Sequence, residues 1–231
     1  MSADGHKLLG SGIYTVSEAS RLSGVSVGRI RRWLKGYRYK SRKKRYASPP
    51  VWHGDLDPID SSLALSFLDL IEVKFVDAFV KKGVSWGIVR RARQRAQEVF
   101  KDTHPFCSNR FATDGHAIFV ELHEATGEAS LVDIARDQKV FGQIVKPFFK
   151  ELEFSEDNVL LRWRPLGPDH QVVLDPKRSF GQPIVDNEGV PTHILSQAMK
   201  ATGLIAEVIR WFEVKEDAVH DAVEFEQKLA A

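Results

Sequence analysis

Two short helical patterns, parted by a glycine-containing break and followed at once by a run of cations, constrain this 231-residue chain more than any other feature. Val16, Ala19 and Leu22 recur at helical spacing. Thr15 or Ser17 caps that first helix, and Glu18, three residues after Thr15, completes a capping box. Ser23-Gly24-Val25 stops it, with Gly24 supplying the backbone freedom of a tight turn. Ser26 is placed to cap a second helix whose buried stripe is Ile30, Trp33 and Leu34, which leaves Arg29, Arg31, Arg32 and Lys35 facing outward. Such a pair, the second helix capped and basic, has the geometry that seats a helix in a major groove.

Charge points the same way. The net charge of +2 conceals an N-terminal concentration: residues 1–50 hold 12 Lys or Arg against Asp4 and Glu18, and ten of the seventeen residues from Arg29 to Arg45 are basic. That density implies an anionic partner. Between Gly36 and Pro50, Tyr37, Tyr39 and Tyr46 interleave with the cations and Pro49-Pro50 forbids a helix, so the segment reads as a β-ribbon laid along phosphates.

Downstream, Leu63, Phe67, Leu70, Ile71, Phe75, Ala78 and Phe79 describe an amphipathic helix over 63–82 that Gly83 ends. Ser85 caps another, with Ile88, Val89, Ala92, Ala96 and Val99 inward and Arg90, Arg91, Arg93 and Arg95 as a second basic strip, either touching flanking phosphates or simply solvated. Beyond Pro105 the pattern turns mixed. Phe111–Thr113, an Asp114-Gly115 turn and Ile118–Val120 read as a hairpin, 140–152 as a helix, and 159–164 as a strand following an acidic, solvated turn at Glu153–Asn158. The Pro165–Asp169 stretch separates this region from a C-terminus with three helices, at 192–201, 205–212 and 215–229. The expected fold is α+β, mainly α: a tail over 1–12, a DNA-binding domain over 13–103, a mixed α/β region over 104–168 and a helical domain over 169–231.

Catalysis finds little support. The eight histidines are scattered without metal-ligand spacing, and no cofactor is implied. In His104-Pro105-Phe106-Cys107 the intervening residues favour a structural role over a nucleophilic pair. A single cysteine forms no internal disulfide, and no apolar run is long enough to span a membrane, so a cytoplasmic protein is expected. Trp33, Trp86, Trp163 and Trp211 sit among apolar neighbours and read as core.

The segments Tyr14-Thr15-Val16-Ser17-Glu18-Ala19, Leu22-Ser23-Gly24-Val25-Ser26, Arg31-Arg32-Trp33 and Gly83-Val84-Ser85 resemble the winged-helix DNA-binding domain of MerR-type regulators. The resemblance implies a reading helix at Val27–Leu34, a wing at Tyr37–Tyr46 and a supporting helix pair within Leu63–Phe100. The family's long dimerisation coiled coil is not implied, because the chain breaks at His104-Pro105.

At the C-terminal end, Ser179-Phe180-Gly181-Gln182-Pro183-Ile184-Val185 and Val190-Pro191-Thr192 ahead of three helices resemble antitoxins, and the whole chain is similar to large VapB-type antitoxins. That implies two partners, double-stranded operator DNA and a PIN-domain ribonuclease toxin, with a homodimer or a toxin–antitoxin hetero-oligomer as the assembly. On this reading Ser26 and Gly28 open the reading helix, Arg29 and Arg31 read bases, and Arg32, Lys35, Arg38, Tyr39, Lys40, Arg42 and Lys43 engage phosphates, with Arg31 and Arg32 interchangeable. Arg162, Arg164, Lys177 and Arg178 are the candidates for toxin contact. Two alternatives are a stand-alone MerR-type regulator sensing a small effector, and an RNA-binding or nuclease-like enzyme.

Overall fold

The computed structural model describes residues 10–41, 44–126 and 131–230. The chain is α+β and mostly helical, and it divides into two compact units, residues 13–142 and the described residues 10–12 with 143–230. No helix among the described residues is long and apolar enough to cross a membrane.

In the first unit, α1 (Val16–Ser23) is capped by Thr15 rather than Ser17. The Glu18 amide donates to Thr15 Oγ1 at 3.1 Å, and the Thr15 amide donates back to the Glu18 carboxylate at 2.8 Å. Gly24, at φ +69°, closes α1, and α2 (Val27–Lys35) begins two residues later. Tyr14 and Thr15 form β1, which pairs antiparallel with β4 (Ala64–Leu65). That pairing is why the helical pattern expected from Leu63 starts only at Phe67: Leu65 lies opposite Tyr14, and Ser66 with Asp69 forms a second capping box at the head of α3 (Phe67–Lys81). Between them, β2 (Tyr37–Ser41) and β3 (Lys44–Ser48) form the expected antiparallel ribbon.

Helix α4 (Trp86–Phe100) is followed by a 3-10 turn at Pro105–Cys107 and by α5 (Asn109–Thr126). The hairpin expected at 111–120 is therefore helical, and the physical reason lies at Gly115. A Cβ there would approach the Phe111 ring to 2.7 Å and Phe141 to 3.0 Å, so this glycine lets rings pack close and does not mark a turn. Phe111, Gly115 and Ile118, all buried, recur along one helical face. Phe141 comes from α6 (Leu131–Lys150), which starts well before the expected 140 and stops before Leu152. It joins Phe75, Phe79, Phe106 and Phe111 in an aromatic core whose closest centroids, Phe106 and Phe111, are 4.6 Å apart.

The second unit holds a four-stranded antiparallel sheet in the order β5 (Leu152–Phe154), β6 (Leu160–Trp163), β7 (Val172–Leu174), β8 (Pro183–Val185). The Pro165–Asp169 stretch, expected to separate two regions, joins neighbouring strands of this one sheet. The three helices follow close to the expected positions as α7 (Thr192–Thr202), α8 (Ile205–Phe212) and α9 (Glu216–Ala230), packed through Leu195, Val208, Val214, Ala218, Val219 and Ala222 together with Val185 of the sheet.

Candidate nucleic-acid interface

Helix α3 is apolar nearly all round, yet it carries three buried carboxylates, Asp69, Glu72 and Asp77, each satisfied by groups from other elements. A buried charge is tolerated only when it is paired and hydrogen-bonded. Here the pairings set the positions of α2 and α4. Asp77 receives Arg29 of α2 at 2.8 Å and Lys81 at 2.7 Å. Glu72 receives the buried Arg93 of α4 at 2.7 Å and the Phe106 amide at 3.3 Å. Burial raises Glu72 above the ordinary carboxylate range against the pull of Arg93.

With α2 fixed in this way, Ile30, Trp33 and Leu34 face the core and Trp33 stacks on Trp86 with centroids 5.5 Å apart. Ser26, Gly28, Arg29, Arg31, Arg32 and Lys35 are all exposed, as expected. Two details differ from expectation. Ser26 occupies the cap position without a side-chain cap bond, leaving its hydroxyl free of that duty, and Arg29 is tied back to Asp77 although its side chain remains 47% exposed. Gly28 has open space in front of it.

The ribbon sorts its residues by strand alternation. In the register Tyr39 opposite Tyr46 and Lys40 opposite Arg45, one face carries Tyr37, Tyr39 and Tyr46 and the other carries Arg38, Lys40 and Arg45. The tyrosines stack, Tyr39 on Tyr46 at 5.4 Å and Tyr37 beside Tyr39 at 5.7 Å, and Arg32 of α2 lies over the Tyr37 ring at 5.8 Å. An isolated two-stranded ribbon is marginal in water, and this ladder offsets that weakness. On the opposite face, Lys40 directly across from Arg45 is a repulsive pair until an anion lies against it. Arg42 and Lys43 lie outside the described residues.

Gly36 joins helix to ribbon at φ +70° and ψ −177°, and a Cβ there would lie 2.4 Å from the Ser48 carbonyl oxygen. The same end of the ribbon is held by Arg90, which donates to Ser48 Oγ at 3.2 Å and to the Pro49 carbonyl at 2.7 Å. The second basic strip expected on α4 is thus not one strip. Arg90 anchors the ribbon, Arg93 is buried, Arg95 pairs with Glu121 at 3.1 Å and Glu98 at 3.7 Å, and Arg91 is exposed.

A polar cluster invisible to local sequence reading lies beneath. Asp69 accepts from Trp52 Nε1 at 2.8 Å, from the Ser66 and Asp55 amides at 3.0 and 3.1 Å, and faces His104 Nε2 at 3.2 Å. Burial opposes charge on both partners, but their mutual hydrogen bond and charge dominate: Asp69 is held below the usual carboxylate range and His104 above the usual imidazole value. Asp55, Asp69 and His104 offer three donor atoms within 4.8 Å of one another. The Asp69 oxygens are already taken up by N–H donors, so the set fits a hydrogen-bonded clamp better than a cation cage. His104 therefore does have carboxylates beside it, 35 and 49 residues away in sequence. Cys107 donates instead to the Leu68 carbonyl at 3.4 Å, and burial pushes its thiol well above the usual range, which removes it as a nucleophile.

In the second unit the four cations expected to touch a toxin are found as follows. Arg162 pairs with Glu153 at 2.7 Å and Asp186 at 3.2 Å, Arg164 bridges the same two carboxylates, and Arg178 donates to the Asp186 carboxylate at 2.8 Å and its carbonyl at 2.6 Å. Burial of Asp186 is outweighed by Arg164 and its neighbours, which hold the carboxyl below its ordinary range. Glu153, expected in a solvated turn, is a member of this network on β5. Lys177 is exposed, and Trp211, expected in the core, is 53% exposed.

No family model matches the chain. It is 28% identical over 229 residues, covering 92% of either chain, to a Mycobacterium tuberculosis protein bearing the name "Putative antitoxin VapB45". Over 91% of its length it also superposes on the crystal structure of Rv2018 from Mycobacterium tuberculosis, covering 96% of that chain with a TM-score of 0.70 and 25% identity.

Proposed function

We propose that this chain is the antitoxin of a toxin–antitoxin pair: it represses its own operon through a MerR-like winged helix-turn-helix and masks a PIN-domain ribonuclease with the rest of the chain. The observation that carries the DNA half is the concentration of exposed cations on two adjoining elements, Arg29, Arg31, Arg32 and Lys35 on α2 and Arg38, Lys40 and Arg45 on one face of the ribbon that follows it, with a helix whose first turn is open. Helix N-termini and backbone amides favour phosphate, and cations on a ribbon release counterions from the duplex. The name borne by the Mycobacterium tuberculosis relative supports the toxin half.

Within this reading Arg31, free to extend from the outer face of α2, takes the base contact, bidentate to guanine, while Arg29 serves as a strut through Asp77 and contributes its charge. Arg32, Lys35, Arg38, Lys40 and Arg45 neutralise phosphates. A palindromic operator would be read by a homodimer. The test is retention of the chain's own promoter fragment across a salt series, together with co-purification of the protein encoded next to it. Arg31→Ala is expected to cost about 1 to 3 kcal/mol on the operator and little on a random duplex; equal losses on both would reassign Arg31 to the backbone.

A further inference from the structure

The turn between β7 and β8 presents a phenylalanine in a conformation that physical chemistry disfavours twice. Phe180 is 61% exposed. It also lies in the left-handed region at φ +52°, between Ser179 at +46° and Gly181 at +82°. Left-handed backbone is costly for a bulky residue, and a phenyl ring in water gives up the burial that normally justifies one. Glycine at this position would relieve both costs. Local rule-breaking of this kind, held in place by surrounding structure, is the signature of a residue kept for contact rather than for folding.

The surrounding structure does hold it. The Gly181 amide donates to the Arg178 carbonyl at 2.8 Å, the Gln182 amide to Ser179 at 3.0 Å and the Arg178 amide to Asp175 at 3.0 Å. The Arg178 guanidinium is locked on Asp186, and the Lys177 amide donates to the Asp175 carboxylate at 2.9 Å. Phe180 is therefore an exposed ring carried on a fixed backbone. Around that base Arg162, Arg164, Lys177 and Arg178 outnumber Glu153, Asp175 and Asp186 by one, and Lys177 is exposed.

We infer that Phe180 is the anchor of a protein-docking surface, inserting into an apolar pocket rimmed by carboxylates on the partner, with the exposed Lys177 meeting that rim. The inference rests on the antitoxin reading for the partner's identity and assigns the contact to Phe180, because the arginines are already spent on Asp186 and Glu153. A pre-organised aromatic anchor loses little freedom on binding, as at the centres of protein interfaces.

The experiment is a calorimetric titration of the full chain, unsubstituted and as Phe180→Gly, with the purified product of the reading frame adjacent to this chain's own. Melting temperature and promoter binding are measured on both. Phe180→Gly is expected to melt at the same or a higher temperature, to bind promoter DNA unchanged, and to lose roughly 30-fold or more in partner affinity. An affinity within about threefold of the unsubstituted chain, or a lowered melting temperature accompanying the loss, overturns the docking role and leaves the antitoxin reading standing. Failure of the unsubstituted chain to bind removes both.

Discussion

Arg29 on the outward helix α2 donates to the buried carboxylate of Asp77 on α3 across 2.8 Å, and the same carboxylate accepts Lys81 at 2.7 Å. A residue that sequence spacing offers to DNA is thereby the tie that sets how α2 stands on its support. Asp77→Ala is expected to destabilise the chain by about 1 to 2 kcal/mol, in the lower part of the range for a broken buried pair because Arg29 is half in water. Promoter affinity should fall with it. A double-mutant cycle with Arg29→Ala, read by denaturant unfolding, checks the coupling; strict additivity would show that the pair does not act as a tie.

The cationic face of the ribbon makes a separate prediction. Replacing Arg38, Lys40 or Arg45 by Gln should reduce the log-log salt slope of promoter binding by about one unit for each phosphate contact removed. Lys40→Gln or Arg45→Gln should also stabilise the free chain by a few tenths of a kcal/mol, roughly, by removing the cross-strand repulsion. An unchanged slope in all three variants would place the ribbon off the duplex.

At Gly36 the backbone approaches the Ser48 carbonyl too closely for any side chain. Gly36→Ala is expected to cost on the order of 1 to 3 kcal/mol for the conformation alone, with the overlap added, and to misdirect the ribbon. Loss of promoter affinity larger than the loss of stability explains would mark the ribbon's direction as the affected quantity. Unaltered melting would contradict the geometry.

The clamp of His104 and Asp69 gives a stability profile with two flanks. His104, raised in the fold, contributes fully below about pH 6.5, its unfolded value, and that contribution is lost as pH rises through the elevated one. Asp69, lowered in the fold, contributes fully above about pH 4 and loses its contribution as pH falls through the depressed value. Melting temperature should therefore decline on the alkaline side, and His104→Gln should flatten that flank and also weaken the acid flank, because His104 is the main group that holds Asp69 down while Ser66 and Trp52 hold it less. An alkaline flank that survives the substitution would assign it to another group.

The capping box of Thr15 and Glu18, the turn at Gly24, the inward stripe of Ile30, Trp33 and Leu34, the ribbon and the three final helices were legible because each rests on residues within a few positions of one another. At Asp114-Gly115 the same kind of local logic misled. A turn signal there is a packing signal, and only Phe141, arriving from another helix, gives Gly115 its meaning. Trp211 and Glu153 were misplaced for a like reason, since apolar neighbours and an acidic run do not reveal what stands opposite in space.

Sequence alone determined which segments are helical or extended near the N-terminus, that their outward surface is cationic, and where the last helices begin, because periodicity, caps and charge are short-range properties of the chain. Tertiary structure decided what each charge is for. Long-range approach of carboxylates on α3 and of Asp186 turned Arg29, Arg93, Arg162, Arg164 and Arg178 into struts, the Ser48 hydroxyl and Pro49 carbonyl did the same for Arg90, and Arg31, Lys35, the ribbon face and Phe180 were left turned to solvent. The physical reason is that the role of a charged group depends on whether a counter-charge or water meets it, and that meeting is arranged by residues tens of positions away.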